Sequence, residues 1–358
     1  DVHDSIEKIF GDKSSIAQTK EKAREIVKFE SHTLAAAENS RYEIELGDAN
    51  NINSCIEYYV QIGKLGAENT KLRVLTDLLG VMIHEPCFNQ LRTKEQLGYV
   101  VFSGYRQNRS EFGFRILIQS ERSCDYLEYR IVEFFKKFKA AHLGEHLTED
   151  AFEKFKSALK VKKLTKLKNL NEECSRFWNA INDGFYDFEQ KANDVDVLEN
   201  ITRNEFLSFF DHYLDFTKKG KPPILSVYLK SQKVPDFNGE KALSAAIFNF
   251  IYEHDLDVNS DAVDKILGQN EGNIERAIDE IIAAAKDTGE SSHDWSDIRQ
   301  KFTAHVTERA NAPVPAEYPE GTLILSEADF KKTHAKAGYP TPVKDLALFY
   351  YPHEDAHL

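Results

Sequence analysis

The chain has 358 residues, 41% of them hydrophobic and 29% charged, with a net charge of −13. That balance belongs to a globular chain large enough for two domains and excludes a disordered or collagen-like class. The acidic excess argues against nucleic acid as a partner, and no apolar run approaches the roughly 18 residues of a membrane span.

The first residue is Asp1 rather than Met, as in a fragment or an incomplete gene model, and no leader pattern opens the chain. Residues 2–30 read as helix, with Ile6, Ile9, Phe10, Ile16 and Ile26 apolar among charges. Tyr42, Ile44 and Leu46 alternate with Arg41, Glu43 and Glu45, and Ile56, Tyr58, Val60 and Ile62 alternate again after a turn at 48–51, so two strands are expected. Leu72, Leu75, Leu79 and Met82 fall at helical spacing until Pro86 kinks or restarts the helix. Strands are predicted at 98–106 and 112–119, helices at 123–140, 149–166, 170–183 and 203–215, and a buried strand at 224–229 that closes the unit. Trp178 and Phe177 sit at core spacing and read as packing. This order predicts an α+β fold, an antiparallel sheet with helices on one face. Beyond it, Val263, Ile266 and Leu267, then Ile274, Ala277, Ile278 and Ile281, mark two helices joined by a turn. A stiff Pro-rich linker follows at 311–319. The four cysteines, Cys55, Cys87, Cys124 and Cys174, lie in apolar stretches without a CxxC pair and read as reduced core thiols of a cytoplasmic protein.

The chemistry concentrates at 85–101, EPCFNQLRTKEQLGYVV, where a helix runs into a charged turn that opens onto a strand. Arg92 offers a planar, permanently charged fork and Tyr99 a hydroxyl on a rigid ring, both suited to a peptide carbonyl or a developing oxyanion. On chemistry alone the alternative is a surface ion-pair cluster beside an ordinary strand.

The run EPCFNQLRTKEQLGYVVFSGYR, together with FRILIQSER, DYLEYRIVEFF, LTEDAFEKFKSAL and NEECSRFWNAI, resembles the C-terminal half of insulysin-type enzymes of the pitrilysin zinc metallopeptidase family. The resemblance covers about 41–230, and LSEADFKKTHAKAGYPTPVKDL is similar to that family's C-terminal tail. It implies the non-catalytic C-terminal part of a zinc metalloendopeptidase, a half-bowl that encloses peptide substrates against an N-terminal half carrying the metal. Zinc is then a cofactor of the intact enzyme and is not bound by this chain, which alone hydrolyses nothing. By the same resemblance Arg92 holds the substrate backbone, Tyr99 donates to the carbonyl or oxyanion, and Phe88 forms an apolar wall; Arg92 and Tyr99 are the catalytic candidates. The implied partners are peptides and the N-terminal half, with room for a homodimer and no membrane. The implied organisation is terminal helices of a preceding domain at 1–35, the insulysin-like domain at 36–235, a helical insertion and linker at 236–313, and a tail at 314–358 that packs back on the domain.

Other features are weighed against plainer readings. His142, Glu145 and His146 spell HxxEH, the inverted zincin pattern, but Gly144 lies inside it and Thr148 follows as the N-cap of the next helix, so the match reads as a decoy on a helix connection. The lysines from Lys154 to Lys168 read first as a solvated helix face. The resemblance adds a weak polyanion site at Lys166 and Lys168, with Asn169 departing from a basic position. His84 reads as a helix-terminal residue, and His353 and His357 as a frayed terminus. The insertion, GQNEGNIERAIDEII above all, has the look of a ubiquitin-associated three-helix module. The alternative function is therefore a stand-alone, non-catalytic peptide-binding or scaffold protein derived from the same domain.

Overall fold

Alternating apolar side chains build a six-stranded sheet in the computed structural model, which describes residues 31–35, 37–217, 222–233, 240–254, 256–270, 273–288, 294–310, 318, 321–338 and 342–343. The helices predicted at 2–30, the Pro-rich run apart from Tyr318, and His353 and His357 lie outside the described residues. The strands are β1 (His32–Thr33), β2 (Asn39–Glu45), β3 (Ser54–Lys64), β4 (Val100–Gln107), β5 (Glu111–Ser120), β6 (Ile224–Lys230), β7 (Thr322–Leu323) and β8 (Ala335–Lys336). Six of them form one sheet in the order β4-β5-β3-β6-β2-β7, and β1 pairs with β8. Ile56, Tyr58 and Val60 of β3 and Phe112, Phe114, Ile116 and Ile118 of β5 are fully buried on one face. Against that face pack α1 (Thr70–Cys87) and α2 (Cys124–His142), through Leu78, Ile83, Leu127, Ile131 and Phe135.

The sheet is mixed, mostly antiparallel, and so corrects the expectation of a purely antiparallel one. Pairs β3–β5, β4–β5 and β3–β6 are antiparallel, while β2 runs parallel to both β6 and β7. The strand predicted to close the unit lies inside the sheet: β6 enters between β2 and β3, pairing Tyr42 with Val227 on one side and Ile56 with Tyr228 on the other. The turn at 48–51 therefore joins strands that are not neighbours. The helical layer between β5 and β6 carries the chain back across the sheet, so β6 arrives running in the direction of β2.

That layer comprises α3 (Glu149–Leu164), α4 (Leu170–Asn182), α5 (Gln190–Glu199) and α6 (Arg203–Tyr213). Ser123, Thr148 and Asn169 cap α2, α3 and α4 through their side chains, and Thr202 forms a capping box with Glu205 on α6. The reading of Phe177 and Trp178 as core is corrected: α4 buries none of its residues, Trp178 is 66% exposed and Phe177 41%. Its polar side, with Asn171, Ser175 and Asn179, lines a cavity of about 540 Å³ against the β3–α1 connection and α5, which turns Leu170, Phe177, Trp178 and Ile181 outward. Cys174 is likewise exposed and not a core thiol; Cys87 and Cys124 are buried, Cys55 is half-buried, and all four are free.

Four helices follow β6, two more than the periodicity located: α7 (Glu240–Glu253), α8 (Ser260–Gln269), α9 (Ile274–Thr288) and α10 (Trp295–Ala310). They share a core of their own, with Ile247, Phe250, Ile278, Ile281, Phe302 and Val306 buried, and Phe250 stacked on Phe302 at 4.2 Å. The three-helix expectation thus becomes a four-helix module among the described residues. Past it, β7 adds to the sheet edge beside β2, α11 (Glu327–Thr333) leads into β8, and Tyr318 meets Tyr129 edge-on at 5.3 Å. Among the described residues no helix is long and apolar enough to cross a membrane.

Candidate functional site

Pro86 occupies the last turn of α1 and has no N–H to give the carbonyl four residues back. The helix then widens into a π-helical turn, Phe88–Lys94, a form concentrated at functional sites. Two longer-range bonds close it, from Glu95 N–H to Gln90 O at 2.9 Å and from Leu97 N–H to Leu91 O at 3.0 Å. Cys87, Leu91 and Leu97 are buried beneath, so the turn stands on the sheet's core.

The turn brings the three predicted residues together. The Arg92 guanidinium lies between two rings, 4.6 Å from the Phe88 centroid and 4.4 Å from that of Tyr99. Both contacts are within cation–π range, and the guanidinium keeps a fork of N–H donors suited to a carbonyl or carboxylate. Tyr99, the residue before β4 rather than the first of the strand, is 83% exposed. Among the described residues neither Arg92 nor Tyr99 has an ion-pair or hydrogen-bond partner. Tyr99 borders a groove of about 580 Å³ that Gln119, Ser120 and Arg122 at the end of β5 also line; Arg92 and Phe88 do not line it.

What holds this turn went unread in the sequence. Glu95, 6% exposed, accepts from Arg130 Nε and Nη2, each at 2.6 Å, and from Gln90 Nε2 at 2.6 Å. Burial works against the carboxylate, but the Arg130 fork and the Gln90 amide outweigh it and hold the Glu95 pKa below the usual range. Gln96 adopts a left-handed φ of 49°. A Cβ on Gly98 would lie 1.9 Å from the Gln119 carbonyl, so only glycine lets the chain enter the sheet there. One signal was available: an acid between buried Leu91 and Leu97 demands a cation nearby.

The HxxEH residues do not share a helix. His142 ends α2, stacked on Phe138 at 5.2 Å; Leu143 is extended, Gly144 turns at φ 63°, and Glu145 and His146 occupy a 3-10 turn. Burial, with His146 nearby, lowers the His142 pKa. Among the described residues no group of three His, Cys, Asp or Glu is arranged to hold a metal ion. His84 lies exposed in the last turn of α1.

Much of the basic flank is neutralised within the fold. Lys163 bridges Asp77 and Asp194 at 2.6 and 2.8 Å, Lys156 meets Glu153 at 2.8 Å, Lys154 meets Asp150 at 2.6 Å, and Lys160 pairs with Glu199. Lys166 and Lys168, on the α3–α4 connection, are exposed and without an ion pair among the described residues.

The family described as PQQ synthase PqqF-like, C-terminal lobe domain 4, matches residues 78–178, which include Phe88, Arg92, Tyr99, Glu95 and Arg130. The A-factor-processing enzyme of Saccharomyces cerevisiae is 40% identical over 202 residues, covering 56% of this chain and 19% of the yeast protein. Insulin-degrading enzyme of Drosophila melanogaster is 33% identical over 228 residues, covering 63% of this chain and 22% of the fly protein. Among solved structures, pitrilysin aligns with a TM-score of 0.48 at 21% identity, over 58% of this chain and 21% of that one. The chain thus spans about a fifth of the length of these curated relatives.

Proposed function

We propose, since this chain carries a C-terminal-lobe domain of the pitrilysin family of peptidases, that it is the non-catalytic wall of a two-half zinc endopeptidase. In that role it closes a chamber over a peptide and clamps it for hydrolysis. The observation that carries the reading is the Phe88–Arg92–Tyr99 stack, with Tyr99 83% exposed at the mouth of a groove.

The chemistry runs from the side chains outward. The edge of Arg92 donates to a substrate backbone carbonyl, and its two ring neighbours keep the fork from turning away. The Tyr99 hydroxyl donates to the scissile carbonyl and more strongly to the oxyanion that forms there, so the interaction favours the transition state. Phe88 is the apolar base that holds the cation in register. The activated water would come from a zinc ion held by the other half, and no residue of this chain is assigned to it. The buried Glu95–Arg130 pair keeps the turn rigid, as a clamp requires.

The test is the complete two-half enzyme carrying Tyr99→Phe or Arg92→Ala. Loss of one oxyanion donor typically lowers turnover about 10²–10³-fold. Tyr99→Phe is expected to do so with its unfolding midpoint unchanged, because the hydroxyl makes no bond within the described fold. Wild-type rates in both variants would end the proposal.

A further inference from the structure

The groove beside Tyr99 is not built by the sheet domain alone. Its walls are the turn from Gln96 to Val100 and the end of β5 from Gln119 to Arg122, and on a further side it is bordered by Ser244 of α7. Its volume of about 580 Å³ falls within the roughly 300–1,000 Å³ of ligand sites. The helix that supplies Ser244 packs against the π-helical turn itself. It is held from its own side by Ile247, Phe250 and Ile251, which are buried in the four-helix core separate from the core under the sheet. Ser244 is half-buried, short and uncharged. With Asn53, Gln96, Gln119 and Ser120 it gives the groove neutral groups that both donate and accept, beside the charged Glu121 and Arg122. That lining suits the backbone of an extended peptide.

We infer that the four-helix module is a specificity element of the peptide groove, with Ser244 setting how large a side chain fits beside Tyr99. The inference rests on the proposed role of Tyr99. A rigid helix at the groove's edge limits volume, and a volume limit discriminates by size: one methylene too many in a closed pocket changes kcat/KM by about 10–200-fold.

The experiment uses the complete two-half enzyme and internally quenched peptides that differ only in the residue beside the scissile bond, which is Gly, Leu or Trp. Ser244→Trp is expected to lower kcat/KM for the Trp peptide at least about tenfold relative to the Gly peptide, through KM. Ser244→Leu lies between it and the parent, and decides the question where the Trp variant does not fold. Tyr99→Phe loses turnover on every peptide but keeps the parent's Trp-to-Gly ratio. An unchanged ratio in a folded Ser244 variant, or an equal loss on all three peptides, overturns the inference. If Tyr99→Phe is impaired at the same time, the clamping proposal survives that result. Full activity in both Tyr99→Phe and Arg92→Ala sinks the clamping proposal by itself.

Discussion

Replacing Arg130 by Met isolates the bond that anchors the π-helical turn. Methionine keeps the aliphatic stem but ends near the position of Nε, so it removes the charged fork together with its contact to Tyr129, whose ring centroid is 5.3 Å from the guanidinium. The two side chains are 13% and 4% exposed, and both bonds from the fork are 2.6 Å. Their loss leaves a buried carboxylate with the Gln90 amide as its remaining hydrogen-bond donor and the charge of Lys137 nearby. Breaking a buried pair by removing one partner costs about 3–5 kcal/mol, roughly 6–20 °C in melting temperature for a domain of about 150–250 residues. The sign with pH is specific. In the parent, the Glu95 pKa is held below the ordinary 4.5, so its stabilisation is present above 4.5 and lost as pH falls through the lower folded value. In the variant, burial is no longer outweighed and the pKa rises above the ordinary value. The fold is then penalised above that pH and relieved below it. Urea unfolding of both proteins at neutral pH and below pH 4.5 therefore gives a deficit that shrinks on acidification. A deficit under about 1 kcal/mol at neutral pH, or one independent of pH, refutes the anchor.

Two further outcomes follow from the same fold. Gly98→Ala pushes a Cβ to within 1.9 Å of the Gln119 carbonyl, so the start of β4 shifts at a cost of about 1–3 kcal/mol or more, read by urea unfolding; a neutral substitution contradicts the close approach. His334 places Nδ1 2.6 Å from Phe330 O and Nε2 2.8 Å from both Glu38 oxygens, two acceptors that call for the doubly protonated ring. Burial opposes the charge, but those partners raise the His334 pKa above 6.5, while Ser40, the Ala35 N–H and His334 outweigh burial and lower that of Glu38 below 4.5. The latch is thus complete between 4.5 and 6.5; the Glu38 contribution is lost as pH falls through its folded value and the His334 contribution as pH rises through its own. Amide protection in α11 and β8, taken relative to the intrinsic exchange rate at each pH, is expected to be greatest in that window, and His334→Gln is expected to abolish its alkaline limb; an unchanged limb contradicts the latch.

The candidate site was half legible before the fold was. Arg92 and Tyr99 stand out because a cation and a phenol fall within one short motif, and local chain geometry keeps such neighbours close; Phe88 entered only through the family resemblance. Arg130 did not stand out. It lies far along the chain from Glu95, and only the packing of α2 on the turn joins them. Ser244 was equally silent, a serine on a helix whose periodicity went unnoticed among the residues after β6.

Strands β3 and β5 and helix α1 followed from hydrophobic period, since burial on one face repeats every two residues in a strand and every three to four in a helix. The same period misled at α4: Leu170, Phe177, Trp178 and Ile181 form a good apolar stripe, yet the stripe points to solvent because the polar side of the helix closes a cavity against the chain. Periodicity says that a face is apolar and not what covers it. Nor does it say which strands meet. Composition and local spacing determined the elements and the motif, because those depend on residues near in sequence. The parallel β2–β6 pair, the buried Glu95–Arg130 fork and the approach of α7 to Tyr99 were decided by tertiary structure, because each needs two distant segments to exclude water from the same place.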